Sequence, residues 1–392
     1  MIKRKAQIIV VVVIFVVAVF LQLSCTSGNT INPESSIVSD FNVESDKNES
    51  LKTNLHSESV KIDSSEDNIV TSISGAPVLE STSTNSIVDI SDLTKNSWLC
   101  IENQNTFDDL STINEVEKWN CLVEIHQDGD NMVVHSNGIP NHDFESTIGC
   151  CASEQEYIWH IPLYPEIDPT PDPVPDRGAI AVTVTGVPIF GPEEGPGGDA
   201  VALEHEYFIE DRQAIDLGIC GGHSGPGGTY HYHYDSNCMH WHSDENESIL
   251  DWSMDLIDSL KASPIIGFAF DGFPIYGIYG YTAFQIVSEM KSSYQLELNK
   301  TGYGGSDDWE YIEDLGNLDE CNGHIGYVPD LTSPIYHYHA TRLNGKGELG
   351  FPYFMNCYKG EVEELNFGDG LPQVGPPMGE RRPPPMGERR LR

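Results

Sequence analysis

Basic residues are scarce in this chain: Lys and Arg number 21 against 61 Asp and Glu, for a net charge of −40. Nucleic-acid phosphates would be repelled by such a surface, so no nucleic-acid partner is expected. The excess favours solubility and draws cations, and it equally suits a salty medium in which repulsion is screened. Catalytic signatures are also missing. There is no nucleophile elbow, no phosphate-binding loop and no His-Glu-x-x-His sequence, so serine hydrolase, thiol hydrolase and nucleotide chemistry have no support. Residues 26–95 hold no Trp, Tyr or Cys and consist largely of Ser, Asn, Asp, Glu and Thr. That composition buries too little apolar surface to offset chain entropy and reads as a disordered tether.

Long apolar sequence occurs once, from Ile8 to Phe20, behind Lys3, Arg4 and Lys5. This is the pattern of a secretory signal. Leu23-Ser24-Cys25 resembles a lipoprotein cleavage site with Cys25 as the lipidated residue, although Gln22 stands where such sites usually carry Leu. The expected location is extracytoplasmic, either as a lipoprotein anchored at the cell envelope or as a secreted protein. The expected organisation is a signal over 1–25, a tether over 26–95, a β-rich subregion over 96–176, a core over 177–370 and a tail over 371–392. The tail repeats Pro-Pro-Met-Gly-Glu-Arg-Arg and is disordered by composition. Cys121–Ile125 and Met132–Val134 read as strands, and Thr170–Asp176 reads as a stiff, extended Pro-rich connection. Ile249, Trp252, Leu256, Ile257 and Leu260 fall at helical spacing, and Phe284–Met290 is expected to form a shorter helix.

The core carries one statement twice. Cys220-Gly-Gly-His223 is followed by Tyr230-His-Tyr-His233 and Cys238; Cys321-Asn-Gly-His324 is followed by Tyr336-His-Tyr-His339 and Cys357. Ahead of the copies lie Gly186-Val-Pro-Ile-Phe-Gly191 and Gly272-Phe-Pro-Ile-Tyr-Gly277, each preceded by an apolar run, Ile180–Thr185 and Ile265–Phe270. Two units are too few for a solenoid and fit one domain of two related halves. The expected class is mainly β with a few short helices, a β-rich α+β fold stabilised by disulfides.

These motifs resemble the YHYH domain family of extracytoplasmic proteins over roughly Asn131–Gly370. The resemblance implies export but brings no established activity, so the chemistry is argued from the residues.

On a strand, His231 and His233 share one face and Tyr230 and Tyr232 the other, with the histidine Cα atoms ~6.5–7 Å apart. Two such imidazoles can converge on one ion. His223, carried by a glycine turn, is the natural third ligand, and His324, His337 and His339 repeat the set. Three imidazoles suit zinc or copper. The sequence leaves open whether the copies form two sites or face each other across one. Secondary candidates are His142, the Met239-His-Trp-His242 pair, and Asp271 as a carboxylate that orients a histidine or caps a turn.

Without Cys25, eight cysteines remain in an exported chain, so disulfides are expected. Closing each histidine loop pairs Cys220 with Cys238 and Cys321 with Cys357. Cys100, Cys121, Cys150 and Cys151 then pair among themselves, with the neighbours Cys150 and Cys151 not expected to join each other. The rival reading makes Cys220 and Cys321 thiolate ligands. Three functions fit: a membrane-tethered domain that binds zinc or copper, a metal-dependent enzyme (copper oxidoreductase or hydrolase), or a disulfide-stabilised adhesion or scaffold module with structural histidines.

Overall fold

Two short apolar runs form the centre of the fold in the computed structural model, which describes residues 88–101, 105–112, 118–194, 198–201, 217–241, 248–283, 285–344 and 350–367. All belong to the unit Leu79–Arg392. The signal segment, the tail, His242 and most of the tether lie outside the described residues. The strands that position the site are β1 Val123–Asp128, β2 Asn131–Ser136, β3 Tyr157–Pro162, β4 Ala179–Thr183, β5 Pro188–Phe190, β6 Gly222–Ser224, β7 Tyr230–Tyr232, β8 Ile265–Ala269, β9 Pro274–Tyr276, β10 Gly323–Gly326 and β11 Ile335–His339. The described fold is mainly β with a few short helical turns.

Eight strands form one sheet in the order β10-β11-β9-β8-β4-β5-β7-β6. β4 and β8 pair antiparallel at its middle. Every residue of β8 is buried, as are the last four of β4, so both read as continuous apolar runs rather than as alternation. Outward from the centre, β4–β5 and β8–β9 are antiparallel hairpins. β5–β7 and β9–β11 are then parallel, and β7–β6 and β11–β10 are antiparallel. Each Tyr-His-Tyr-His strand thus lies between a Pro-Ile-aromatic strand and a Gly-His strand.

β1, β2 and β3 form a separate antiparallel sheet, bearing out the two strands expected there. Ser136 joins it to the core by donating to the carbonyl of Gly186 at 2.7 Å. Trp98 also docks on the core, its ring 5.7 Å from Phe268. The residues before it form a helix, Ser91–Asn96, with Leu93 and Thr94 buried. The end of the stretch read as tether therefore packs against the domain.

Several local expectations are corrected. The helix expected across Ile249–Leu260 is two separate 3-10 turns, Ile249–Asp251 and Met254–Leu256. Ser248 and Ser253 each cap one turn by accepting a backbone N–H, which favours restarting over propagation. Ile249 and Trp252 are buried, but Leu256 and Leu260 are exposed, so no continuous apolar stripe exists. The helix expected over Phe284–Met290 is instead part of a hairpin, Tyr279–Ala283 with Ile286–Glu289. The Pro-rich connection is extended as expected, yet Ile167–Pro173 pairs antiparallel with Cys357–Gly360. Proline is tolerated there because a two-stranded ribbon has outward-facing edges that need no donor.

The four cysteine pairs are Cys100–Cys121, Cys150–Cys151, Cys220–Cys238 and Cys321–Cys357. The two loop-closing pairs agree with expectation and remove Cys220 and Cys321 as thiolate ligands. The neighbours Cys150 and Cys151 do pair, against expectation: Cys100 and Cys121 take each other at a Cα separation of 5.5 Å, which leaves the remaining two for each other.

Candidate metal centres

The two edges of the eight-stranded sheet each gather three histidines. At one edge His223 on β6 faces His231 on β7 across the antiparallel register, and His233 follows β7 directly. At the other, His324 on β10 faces His337 on β11, which ends at His339. The glycine before each first histidine permits the close strand approach. A Cβ on Gly222 would lie 2.6 Å from the His231 carbonyl oxygen, and one on Gly323 would lie 2.8 Å from that of His337. The tyrosines pack together on the reverse face, Tyr230 against Tyr232 at 5.4 Å and Tyr336 against Tyr338 at 5.3 Å.

The two clusters have nearly the same dimensions. Ring centres lie 4.6, 5.2 and 5.0 Å apart for the pairs 223–231, 223–233 and 231–233. The corresponding separations for 324–337, 324–339 and 337–339 are 4.5, 5.3 and 4.8 Å. Five strand spacings separate β7 from β11, about 24 Å, so the histidines form two clusters rather than one.

Backbone carbonyls fix the imidazoles. His231 Nδ1 donates to the Thr229 carbonyl at 3.0 Å, and His337 Nδ1 donates to that of Ile335 at 3.0 Å. His233 Nδ1 donates to the Gly191 carbonyl at 3.0 Å, and His339 Nδ1 donates to that of Gly277 at 2.8 Å. Gly191 and Gly277 close the two Gly-x-Pro-Ile-aromatic-Gly motifs, so these motifs orient the last histidine of each set. With Nδ1 protonated by these partners, the neutral rings present Nε2 lone pairs to the cluster interior. His233 Nε2 lies 3.3 Å from His223 Nε2, and His324 Nε2 lies 3.1 Å from His337 Nε2. The buried Nε2 atoms of His231 and His339 have no hydrogen-bond partner.

Burial disfavours the charged form of five of the rings. It lowers His231 and His324 to about 4 and His337 to about 3, and it lowers His223 and His339 as well.

The first cluster contains a fourth group that the sequence reading missed. Glu194 Oε2 lies 3.7, 3.6 and 3.1 Å from the Nε2 atoms of His223, His231 and His233. Glu194 lies three residues beyond Gly191, one acidic residue among 61, and nothing in its local sequence marked it.

Ligands 2.0–2.1 Å from a tetrahedral ion are ~3.3 Å apart. The edges of the first cluster, 3.1 to 3.7 Å, bracket that value, and the 3.1 Å edge of the second lies close to it. Both sets, Glu194 with His223, His231 and His233, and His324 with His337 and His339, have the composition and spacing to hold a metal ion.

The secondary candidates serve as supports. His142 donates from Nδ1 to the Asp143 carbonyl and accepts the Tyr232 hydroxyl at Nε2, both at 2.7 Å, behind the first tyrosine face. Asp271 accepts the Tyr338 hydroxyl at 2.5 Å and the amides of Phe273, Lys359 and Gly360, so it caps its turn and holds the second tyrosine face rather than orienting a histidine. His240 Nε2 donates to the Ile265 carbonyl at 2.8 Å.

Comparison with known proteins adds one finding. No curated protein and no solved structure matches the chain. The family model described as YHYH protein matches residues 158–360, a span that contains both histidine clusters and the strands that carry them. The chain belongs to the YHYH protein family.

Proposed function

We propose that this chain is an exported metalloprotein that holds two transition-metal ions, one at His223, His231, His233 and Glu194 and one at His324, His337 and His339. The observation that carries the reading is the direction of the lone pairs. Backbone carbonyls hold two Nδ1 protons in each set, so the Nε2 lone pairs of those two rings turn into the cluster at ligand spacing, and the buried Nε2 atoms of His231 and His339 meet no hydrogen-bond donor. Such a convergence costs free energy unless a cation accepts the lone pairs. Zinc and copper both suit imidazole. The near-tetrahedral spacing and the carboxylate favour zinc, since copper(II) prefers tetragonal geometry.

The strand order supports the reading that the core is two copies of one unit, related about the β4–β8 pair. Taken from either edge, the sheet runs Gly-His, Tyr-His-Tyr-His, Pro-Ile-aromatic, apolar run. The multiple disulfides suggest an extracytoplasmic protein. Anchoring completes the proposal: residues 1–25 act as a lipoprotein signal, and the Ser/Asn-rich stretch holds the domain off the membrane. Elemental analysis of untagged protein purified from a periplasm-like compartment tests the metal reading. Two ions per chain support it; metal that stays trace and is unaffected by histidine substitution refutes it.

A further inference from the structure

The two clusters match in their histidines and differ at one position. Glu194 lies three residues after Gly191, and the residue three after Gly277 is Gly280. The correspondence is spatial as well. A Cβ on Gly280 would lie 2.5 Å from His339 Cε1 and 2.7 Å from His339 Nε2, so this backbone position borders the inward-facing nitrogen, where its counterpart delivers a carboxylate. No other carboxylate, cysteine or histidine joins the second cluster among the described residues. His324 is only half-buried, whereas His223, His231 and His233 are all buried. The first set therefore supplies four protein donors and the second supplies three.

We infer that the second centre, which has no counterpart of Glu194, leaves one coordination position for a small exogenous donor: water at rest, or a small anion or the anionic oxygen of a substrate. The first centre, closed by Glu194, takes none. Three protein ligands with one open position mark catalytic zinc sites, and a full protein shell marks structural ones. The duplicated unit thus gives one closed centre and one reactive centre. The inference rests on the metal reading above.

The test loads the full chain with cobalt(II), whose visible spectrum reports coordination, and titrates with azide. The wild type should bind two cobalt ions, with azide changing the spectrum of one. His339→Ala should keep one ion and lose the azide response. His233→Ala should keep one ion and retain the response. Glu194→Ala and the milder Glu194→Gln should raise the response from one equivalent toward two, circular dichroism confirming that each variant is folded. Two bound ions with neither answering azide, or a response that survives His339→Ala, overturns the inference alone. A wild type that takes up no cobalt overturns the metal reading and this inference with it.

Discussion

Removing the Cys321–Cys357 bond should destabilise the protein more than removing Cys220–Cys238. The bonds join residues 36 and 18 positions apart, with Cα separations of 4.7 and 5.7 Å. Loop-closure entropy scales with the logarithm of loop length, which gives ~3.8 kcal/mol for the longer loop and ~3.2 kcal/mol for the shorter. For a domain of this size, either loss should lower Tm by roughly 6–15 °C. Without its bond, the second loop keeps a local anchor. Asn322 donates to the carbonyls of His339 and Phe354, each at 2.9 Å, and to the Thr341 hydroxyl at 3.1 Å. The variant should therefore fold at room temperature and show its loss on heating. The assay is thermal unfolding of Cys321→Ala/Cys357→Ala and Cys220→Ala/Cys238→Ala, with a non-reducing peptide map of the wild type. An unchanged Tm in either double variant, or a map that links these cysteines differently, refutes the reasoning.

Other expectations are as direct. His233→Ala and His339→Ala should each remove one metal ion and leave the other, because the clusters sit at opposite sheet edges; loss of both ions from either variant would contradict this. Cys25→Ser should release the protein from membranes, whereas continued membrane association with the signal retained would mean that the segment is an uncleaved anchor. Metal-free protein should lose stability as pH falls from about 6.5 toward 4, since the unfolded chain takes up protons that buried His231, His324 and His337 refuse, at ~1.4 kcal/mol per histidine per pH unit. Asp235 and Asp271, both raised to about 6 by burial, oppose the trend; the histidine share is therefore read as a shallower slope in chelator-treated His337→Gln than in wild type, and equal slopes would refute it.

The sequence made the histidine clusters legible because alternation is a property of the backbone. Once Tyr-His-Tyr-His is a strand, both histidines must share a face, and the second copy repeats the constraint. Glu194 was not legible, because its position depends on the sheet bringing the residues after Gly191 over β7. The false helix at Ile249–Leu260 has a related cause. Spacing records where apolar residues fall, but Ser248 and Ser253 divide the segment into single turns and leave Leu256 in solvent. The Cys150–Cys151 pair was missed because the sequence does not show that Cys100 and Cys121 lie together and take each other. The linker expected over Thr170–Asp176 is extended where it overlaps the strand Ile167–Pro173, but its partner strand begins at Cys357, far along the chain.

The most direct test of the metal reading is elemental analysis by mass spectrometry on wild type, His233→Ala and His339→Ala, each untagged and purified from a periplasm-like compartment. Two ions in wild type and one in each variant is the predicted result. The same substoichiometric metal in all three would contradict it and leave the six histidines as packing residues.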